Sequence, residues 1–193
     1  MALMMMISDL PEHLQQRLRS ELKPGEALVW TSQPNPDRYM KSGFKNWLFF
    51  VPWTAFSLFW MAGASGFQMP QFNGGMSLFP LFGIPFVLIG VGGLGSPLWM
   101  RRKARSTIYA ITDQRAITIE GKTSITVRSY LGADILNIER TEHPDGSGDL
   151  VLRSEQYRDS NGDRQTKHYG FFSIDDVRRV ESLVGTLVQS NRL

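Results

Sequence analysis

Apolar residues crowd two stretches in the middle of the chain, Trp47 to Gly66 and Leu78 to Met100. No Asp, Glu, Lys, Arg or His falls between Lys45 and Arg101. Each stretch is close to the roughly 20 residues a helix needs to cross the hydrocarbon of a bilayer. A helix buried in a soluble core keeps a polar stripe, and neither stretch shows one, so the soluble alternative of a buried helical hairpin is the weaker reading. Between them, Phe67 to Ser77 holds Gln68, Pro70, Asn73, Gly74 and Gly75, all turn formers. The pattern predicts a two-helix transmembrane hairpin over residues 46–100.

The flanks of the hairpin predict its orientation. Arg38, Lys41 and Lys45 precede it, Arg101, Arg102, Lys103 and Arg105 follow it, and the connecting loop carries no charge. Lys and Arg collect on the cytoplasmic side, so both termini are expected there, with Trp47 and Trp99 at the headgroup level. Ala62 and Gly66 on the first span, and Gly92 and Ser96 on the second, form small-x-x-x-small pairs that suit close helix packing. Pro52, Pro80, Pro85 and Pro97 are expected to kink or end helices.

Outside the hairpin the period changes. Leu10, Leu14, Leu18 and Leu22 repeat at four, giving an amphipathic helix over residues 1–24 that starts near Ser8, Asp9 and Pro11; its apolar stripe suits packing on its own domain, the membrane or a partner. Beyond Arg105, Ser106–Thr112, Arg115–Glu120, Thr123–Tyr130, Ile135–Arg140, Asp149–Ser154, Glu155–Arg158 and Gln165–Phe171 read as seven short antiparallel strands. Asp113-Gln114 and Gly121-Lys122 sit at expected turns, and Asn161-Gly162 is a strong two-residue hairpin signal. Ile174, Val177, Val180, Leu183, Val184, Leu187 and Val188 then fall at helical spacing, with Ser173 and Asp176 as an expected capping box. Strands followed by one amphipathic helix predict a small sandwich or barrel closed by that helix.

The net charge of +3 and pI near 9.3 invite a nucleic-acid reading, but the excess is local. Residues 1–45 carry +1, residues 101–105 carry +4 and residues 106–193 carry −2. The surplus lies beside the second span, where anionic headgroups attract each basic residue by roughly 1 kcal/mol, and no nucleic-acid partner is expected. The chain has no cysteine, hence no disulfide and no thiol chemistry. His13, His143 and His168 lie in different segments without metal-ligand spacing, and His168 with Lys167 and Tyr169 reads as a strand-edge group. Asp159 to Asp163 resembles the start of a calcium loop but lacks the later bidentate Glu, so a hairpin turn is expected. No nucleophile elbow, P-loop or dinucleotide motif occurs, and no ionisable group lies within the spans; neither an enzyme, a cofactor, a metal nor a transporter is expected.

Leu22-Lys23-Pro24-Gly25-Glu26, Val29-Trp30 and Gln33-Pro34 before the hairpin, with Tyr109-Ala110-Ile111-Thr112-Asp113-Gln114-Arg115 and Phe172-Ser173 after it, resemble the bacterial pleckstrin-homology (PH) domain membrane proteins. The resemblance implies an α+β membrane protein. Its parts would be an early strand near Ala27 to Thr31 with a juxtamembrane segment (25–45), the inserted hairpin (46–100), and a cytoplasmic PH-like domain with its C-terminal helix (101–193). It places Tyr109, Thr112, Asp113 and Arg115 in a family motif. Phosphoinositide-binding PH domains use a basic first hairpin loop, whereas here the corresponding turn is Thr112 to Arg115. Its residues are read as bonding to turn backbone, with Arg115 pairing to a carboxylate. The expected function is a non-catalytic scaffold or accessory subunit of the bacterial inner membrane. Its expected partners are the bilayer and a membrane or cytoplasmic protein, or a second copy of the chain; anionic headgroup sensing is the alternative.

Overall fold

The computed structural model describes residues 10–64, 80–135 and 137–190. They fall into two compact units, one comprising Met40–Arg101 and the other assembled from the chain on both sides of it, up to Tyr39 and from Arg102 onward. The fold is mixed α+β, with two antiparallel sheets and six α-helices among the described residues.

In the discontinuous unit, β1 (Leu28–Ser32), β2 (Ile108–Thr112), β3 (Arg115–Glu120) and β4 (Thr126–Leu131) form one sheet in that order. The pairing of β1 with β2 joins segments from either side of the insert: Leu28 faces Thr112 and Ser32 faces Tyr109. A second sheet holds β5 (Glu139–Glu142), β6 (Gly148–Arg158) and β7 (Arg164–Ile174). The first sheet is covered on both faces. Ile108, Ala110, Ile117 and Ile119 pack with Leu10, Leu14 and Leu18 beside helix α1 (Glu12–Glu21), which is where the leucine stripe of that helix goes. Tyr109, Ile111, Ala116 and Tyr130 pack on the other side with Leu150, Leu152 and Phe171 of the second sheet. Every residue of β2 is therefore buried, and it reads as an unbroken apolar run rather than an alternating one. Each fully buried leucine of α1 contributes about 1.5–3 kcal/mol.

Helix α6 (Val177–Ser190) closes the second core through Val177, Val180, Val184 and Leu187, residues one helical turn apart. Leu183 only rims this core. The expected cap shifts by three residues. Ser173 belongs to β7, with its N–H donating to Asp149 Oδ1 at 2.7 Å, while Asp176 caps the helix by accepting from the Arg179 N–H. Ser8 and Asp9 lie outside the described residues, and α1 starts after Pro11 without a side-chain cap. Two expected strands, Asp149–Ser154 and Glu155–Arg158, are one: no turn former separates them, and β6 runs through. The Asn161-Gly162 signal does mark a hairpin, but the loop is longer than two residues, because Asp159 Oδ1 accepts from the N–H groups of Asn161 and Asp163.

After the short helix α2 (Pro36–Lys41), the second unit is built on two antiparallel helices, α3 (Phe44–Ala64) and α4 (Ile84–Leu94), followed by α5 (Ser96–Ala104), on which the chain leaves the unit. Their contact runs through glycine. A Cβ on Gly90 would lie 2.3 Å from Thr54 Oγ1, and one on Gly93 would lie 2.1 Å from the Phe50 ring. Trp53 Nε1 donates across the pair to the Phe86 carbonyl at 3.2 Å, and Thr54 and Ser57 satisfy their hydroxyls on carbonyls of their own helix.

Among the described residues, only α3 is by itself long and apolar enough to cross a membrane, with 11% of its most apolar window buried. The expected second span, Leu78 to Met100, is not one straight helix: α4 and α5 are bent by 40° at their break and reach that length only together. Gly92, Gly93 and Gly95 weaken the helix there, and Pro97 has no N–H to donate to the Gly93 carbonyl. Of the expected packing residues, Ser96 donates to the Gly43 carbonyl at 3.4 Å, whereas Gly92 faces open space and the close contact falls on Gly90 and Gly93 instead. Ala62 is half-buried, and Gly66 lies outside the described residues. Gly93→Leu is expected to force α3 and α4 apart at a cost of about 1–3 kcal/mol. Gly92→Leu is expected to leave the melting temperature in detergent unchanged, and equal melting of the two variants would refute this contact.

Candidate functional site

The residues of the Tyr-to-Arg motif build two different things. Tyr109 is core: its side chain is fully buried and its ring lies 4.9 Å from that of Phe171. Thr112, Asp113 and Arg115 form the turn between β2 and β3 and tie it to the segment before β1. The Asp113 carboxylate accepts from the Ala27 N–H at 2.9 Å, and the Asp113 N–H donates to the Ala27 carbonyl at 3.0 Å.

Behind this turn, Arg115 meets Glu26 in a two-pronged ion pair, Nε to Oε1 at 2.8 Å and Nη2 to Oε2 at 3.0 Å. The Glu26 side chain is 0% exposed and that of Arg115 11%. Both groups have further partners. Arg115 also donates to the Glu21 carbonyl and Ser129 Oγ, and Glu26 accepts from Thr112 Oγ1 and the Lys23 N–H, each at 2.8 Å. Burial pushes the Glu26 carboxyl up, but the hydrogen bonds from Arg115, the Lys23 N–H and Thr112, with the Arg115 charge, hold it down at about 2. Arg115 is thus fully engaged inside the protein, as the reading of a carboxylate partner expected; its partner comes from the Lys-Pro-Gly-Glu segment 89 residues away.

The basic residues flanking the insert do not behave alike. Arg38 pairs with Asp145 at 2.9 Å and with Asp175. It is set there by Asn35, whose side chain accepts from the Asp37 and Arg38 N–H groups and whose own N–H donates to the Ser173 carbonyl. Lys103 pairs with Glu120 at 3.4 Å. Lys41, Lys45, Arg102 and Arg105 are exposed, and Arg101 is half-buried. Trp99 is exposed, and Trp47 stacks on Phe44.

One cluster was not legible in the sequence. A cavity of about 240 Å³ is lined by the cations Lys103, Arg128 and Lys167 and by the aromatic residues Tyr39, Tyr130 and Tyr169. Glu120 at its wall pairs with Lys103 and Arg128, both at 3.4 Å, and Arg128 and Lys167 lie 5.1 and 5.3 Å from the centre of the Tyr169 ring. Thr118, 2% exposed, also lines it, with its side chain hydrogen-bonded to Tyr130. Burial raises the pKa of Tyr39 and Tyr130, so both hydroxyls keep their protons. No spacing rule connects residues 39, 103, 118, 128 and 167; two helices and strands of both sheets bring them together.

His168 Nδ1 lies 2.8 Å from Ser154 Oγ on the exposed part of the β6–β7 hairpin. Among the described residues, no group of His, Asp and Glu is arranged to hold a metal ion. On the helix pair, Trp53, Phe56, Trp60, Phe82 and Phe86 line a separate groove that is almost wholly apolar. No known protein family, curated protein or solved structure matches the chain.

The ion pair sets the acid response. Glu26 has a folded pKa of about 2 against an ordinary 4.5, so its contribution is complete above about pH 4.5 and is lost as pH falls from there toward 2. The lowered pKa corresponds to about 3 kcal/mol. Unfolding free energy of the full chain is expected to fall over this window, and Glu26→Gln is expected to flatten the slope. Arg115→Met, which strands a buried carboxylate, is expected to cost about 3–5 kcal/mol near neutral pH. A pH profile shared by the Gln variant and the original chain would show that the pair has no such role.

Proposed function

We propose that the chain is a non-catalytic membrane scaffold or accessory subunit, in which residues 40–101 anchor a PH-like module at the cytoplasmic face of a bacterial inner membrane. The observation that carries this reading is the pairing of β1 with β2. These strands flank the insert, and a hydrogen-bonded sheet cannot have a bilayer running through it. If α3 crosses the membrane, the chain must cross back before β2, and the bent pair α4–α5 is the segment available to do so. An even number of crossings puts both flanks on one side, which agrees with the basic residues on both. Further support comes from the surface of the helix pair, where Phe49, Phe56, Phe59, Leu88 and Ile89 are all exposed, a pattern suited to lipid rather than water. The two sheets closed by one C-terminal helix support the PH-like reading.

The scaffold role rests on the β6–β7 hairpin. β5 pairs with β6 only from Gly148 to Val151, so beyond it Arg153–Arg158 and Arg164–His168 extend as an exposed two-stranded ribbon with both edges open among the described residues. Arg153, Glu155, Arg158 and Lys167 keep such edges from pairing indiscriminately, while the free backbone groups can receive an extended segment of a partner.

Both parts are testable. The chain lacks cysteine, so single cysteines at Ser77 and Ser190 report topology against an impermeant thiol reagent. Position 77 is expected to label from outside the inner membrane and position 190 only after lysis; labelling of 190 in intact cells with a permeabilised outer membrane would reverse the topology. For the scaffold, a photo-crosslinker at exposed Tyr157 is expected to give a discrete protein adduct in cells, and one at exposed Thr186 on α6 none. Absence of an adduct from the ribbon, or equal yield from both positions, would remove it as the docking element.

A further inference from the structure

Beyond Val151 the outer edge of β6 has no neighbouring strand among the described residues. β5 pairs with β6 only as far as Glu139 opposite Val151. Past that point lies a cleft of about 540 Å³, lined by Leu152, Arg153 and Ser154 of β6 and by Asp134, Asn137 and Glu139 of the segment leading to β5. A further strand entering this cleft would continue the second sheet along β6.

The edge carries its own complement. In an antiparallel pair, opposed residues share a face and successive residues alternate between faces. Two copies related by a two-fold axis must therefore set one residue against itself. Arg153 or Glu155 on the axis would oppose like charges, which destabilises a strand pair. Gln156 on the axis would leave Arg153 opposite Asp159, whose carboxylate already accepts from N–H groups of the hairpin loop. Ser154 on the axis sets Arg153 against Glu155 of the other copy, and symmetry repeats the pair. The edge of β7 offers no such register, because Arg164 to His168 holds cations and no carboxylate.

We propose that β6 pairs antiparallel with β6 of a second copy of the chain over Leu152 to Gln156, with Ser154 on the two-fold axis. This rests on the ribbon being the docking element and names what it receives. Within one chain Arg153 already bonds Glu155 at 2.9 Å, and Glu155 lies opposite Lys167 of β7. The second copy closes a ring of two cations and two carboxylates, in which each Glu155 has a cation on both sides. It also turns a two-stranded ribbon, marginal by itself, into four strands. Pairing stops at Gln156, because the place opposite Val151 is taken by Glu139. Arg158 of the second copy then leaves the strand beside Asp134 and Glu139; none of these three makes an ion pair among the described residues.

The chain has no cysteine, so Ser154→Cys supplies a single thiol. Residues directly opposed across antiparallel strands have Cα atoms about 4.5–5.5 Å apart, within reach of a disulfide. Mild oxidation of the full Ser154→Cys chain in non-ionic detergent is expected to give a disulfide-linked dimer. Gln156→Cys is expected to give none, because its two copies would lie about 14 Å apart along the strands. Arg153→Glu and Glu155→Arg are each expected to weaken dimerisation about tenfold in analytical ultracentrifugation, since symmetry applies each reversal twice. Mixed together, the two variants are complementary at both pairs, and a heterodimer close to the original affinity is expected, an outcome that a misfolded variant could not give. Absence of the Ser154→Cys dimer, equal cross-linking from positions 154 and 156, or no recovery on mixing would overturn the pairing. A Tyr157 photo-adduct with the mass of two chains would agree with it. An adduct with a different protein, alongside an unlinked Ser154→Cys chain, would overturn the second copy and keep the ribbon as docking element. Absence of both adduct and disulfide would remove the ribbon as well.

Discussion

The buried pair of Glu26 and Arg115 is the constraint on which the discontinuous unit depends. It joins residues 89 apart and sits where the segment before β1 meets the turn between β2 and β3. The first sheet must be closed by a strand that the chain lays down before it makes the whole apolar insert, and β2, β3 and β4 arrive only afterwards. Long loop closure costs conformational entropy that grows slowly with length but has to be met before the strands pair. A buried ion pair held by this many hydrogen bonds penalises any misregistered pairing, since a slipped strand would bury a charge alone.

Burial on both faces of the first sheet follows from that closure. Once β1 is in place, α1 lies against one side through Leu14 and Leu18, while the second sheet and α6 cover the other. The module is therefore three layers deep at β2 and β3, while the strands of the β6–β7 ribbon stand exposed. The ribbon begins where Lys167 and Tyr169 line the basic cavity.

The positive flanks of the insert divide by role. A uniform juxtamembrane cluster was the natural reading of Arg38, Lys41, Lys45 and residues 101–105. Arg38 instead clamps the β5–β6 loop and the approach to α6 through Asp145 and Asp175, and Lys103 turns into the cavity toward Glu120. Lys41, Lys45, Arg102 and Arg105 remain exposed. Charge counted along a chain records how many cations flank the insert, and only the folded structure tells which of them are engaged by carboxylates.

The amino-acid sequence alone determined whatever is written in local period. The apolar insert, the leucine stripe of α1, the alternation of β3, the turn at Asn161-Gly162 and the face of α6 repeat within a few residues, and the backbone geometry that reads them is local too. Ser173 was misread as a cap, and one long strand as two, because caps and strand ends depend on what receives the backbone hydrogen bonds: Asp149 for Ser173, and an uninterrupted partner strand for β6. The Arg115 carboxylate was expected but not its identity, since nothing within the motif points to Glu26. Tertiary structure alone decided that Gly90 and Gly93, not Gly92, meet the facing helix, that the second apolar stretch bends, and that Lys103, Arg128, Lys167 and Thr118 share one cavity. Those outcomes depend on helix rotation, strand order and register, which join residues with no fixed spacing along the chain.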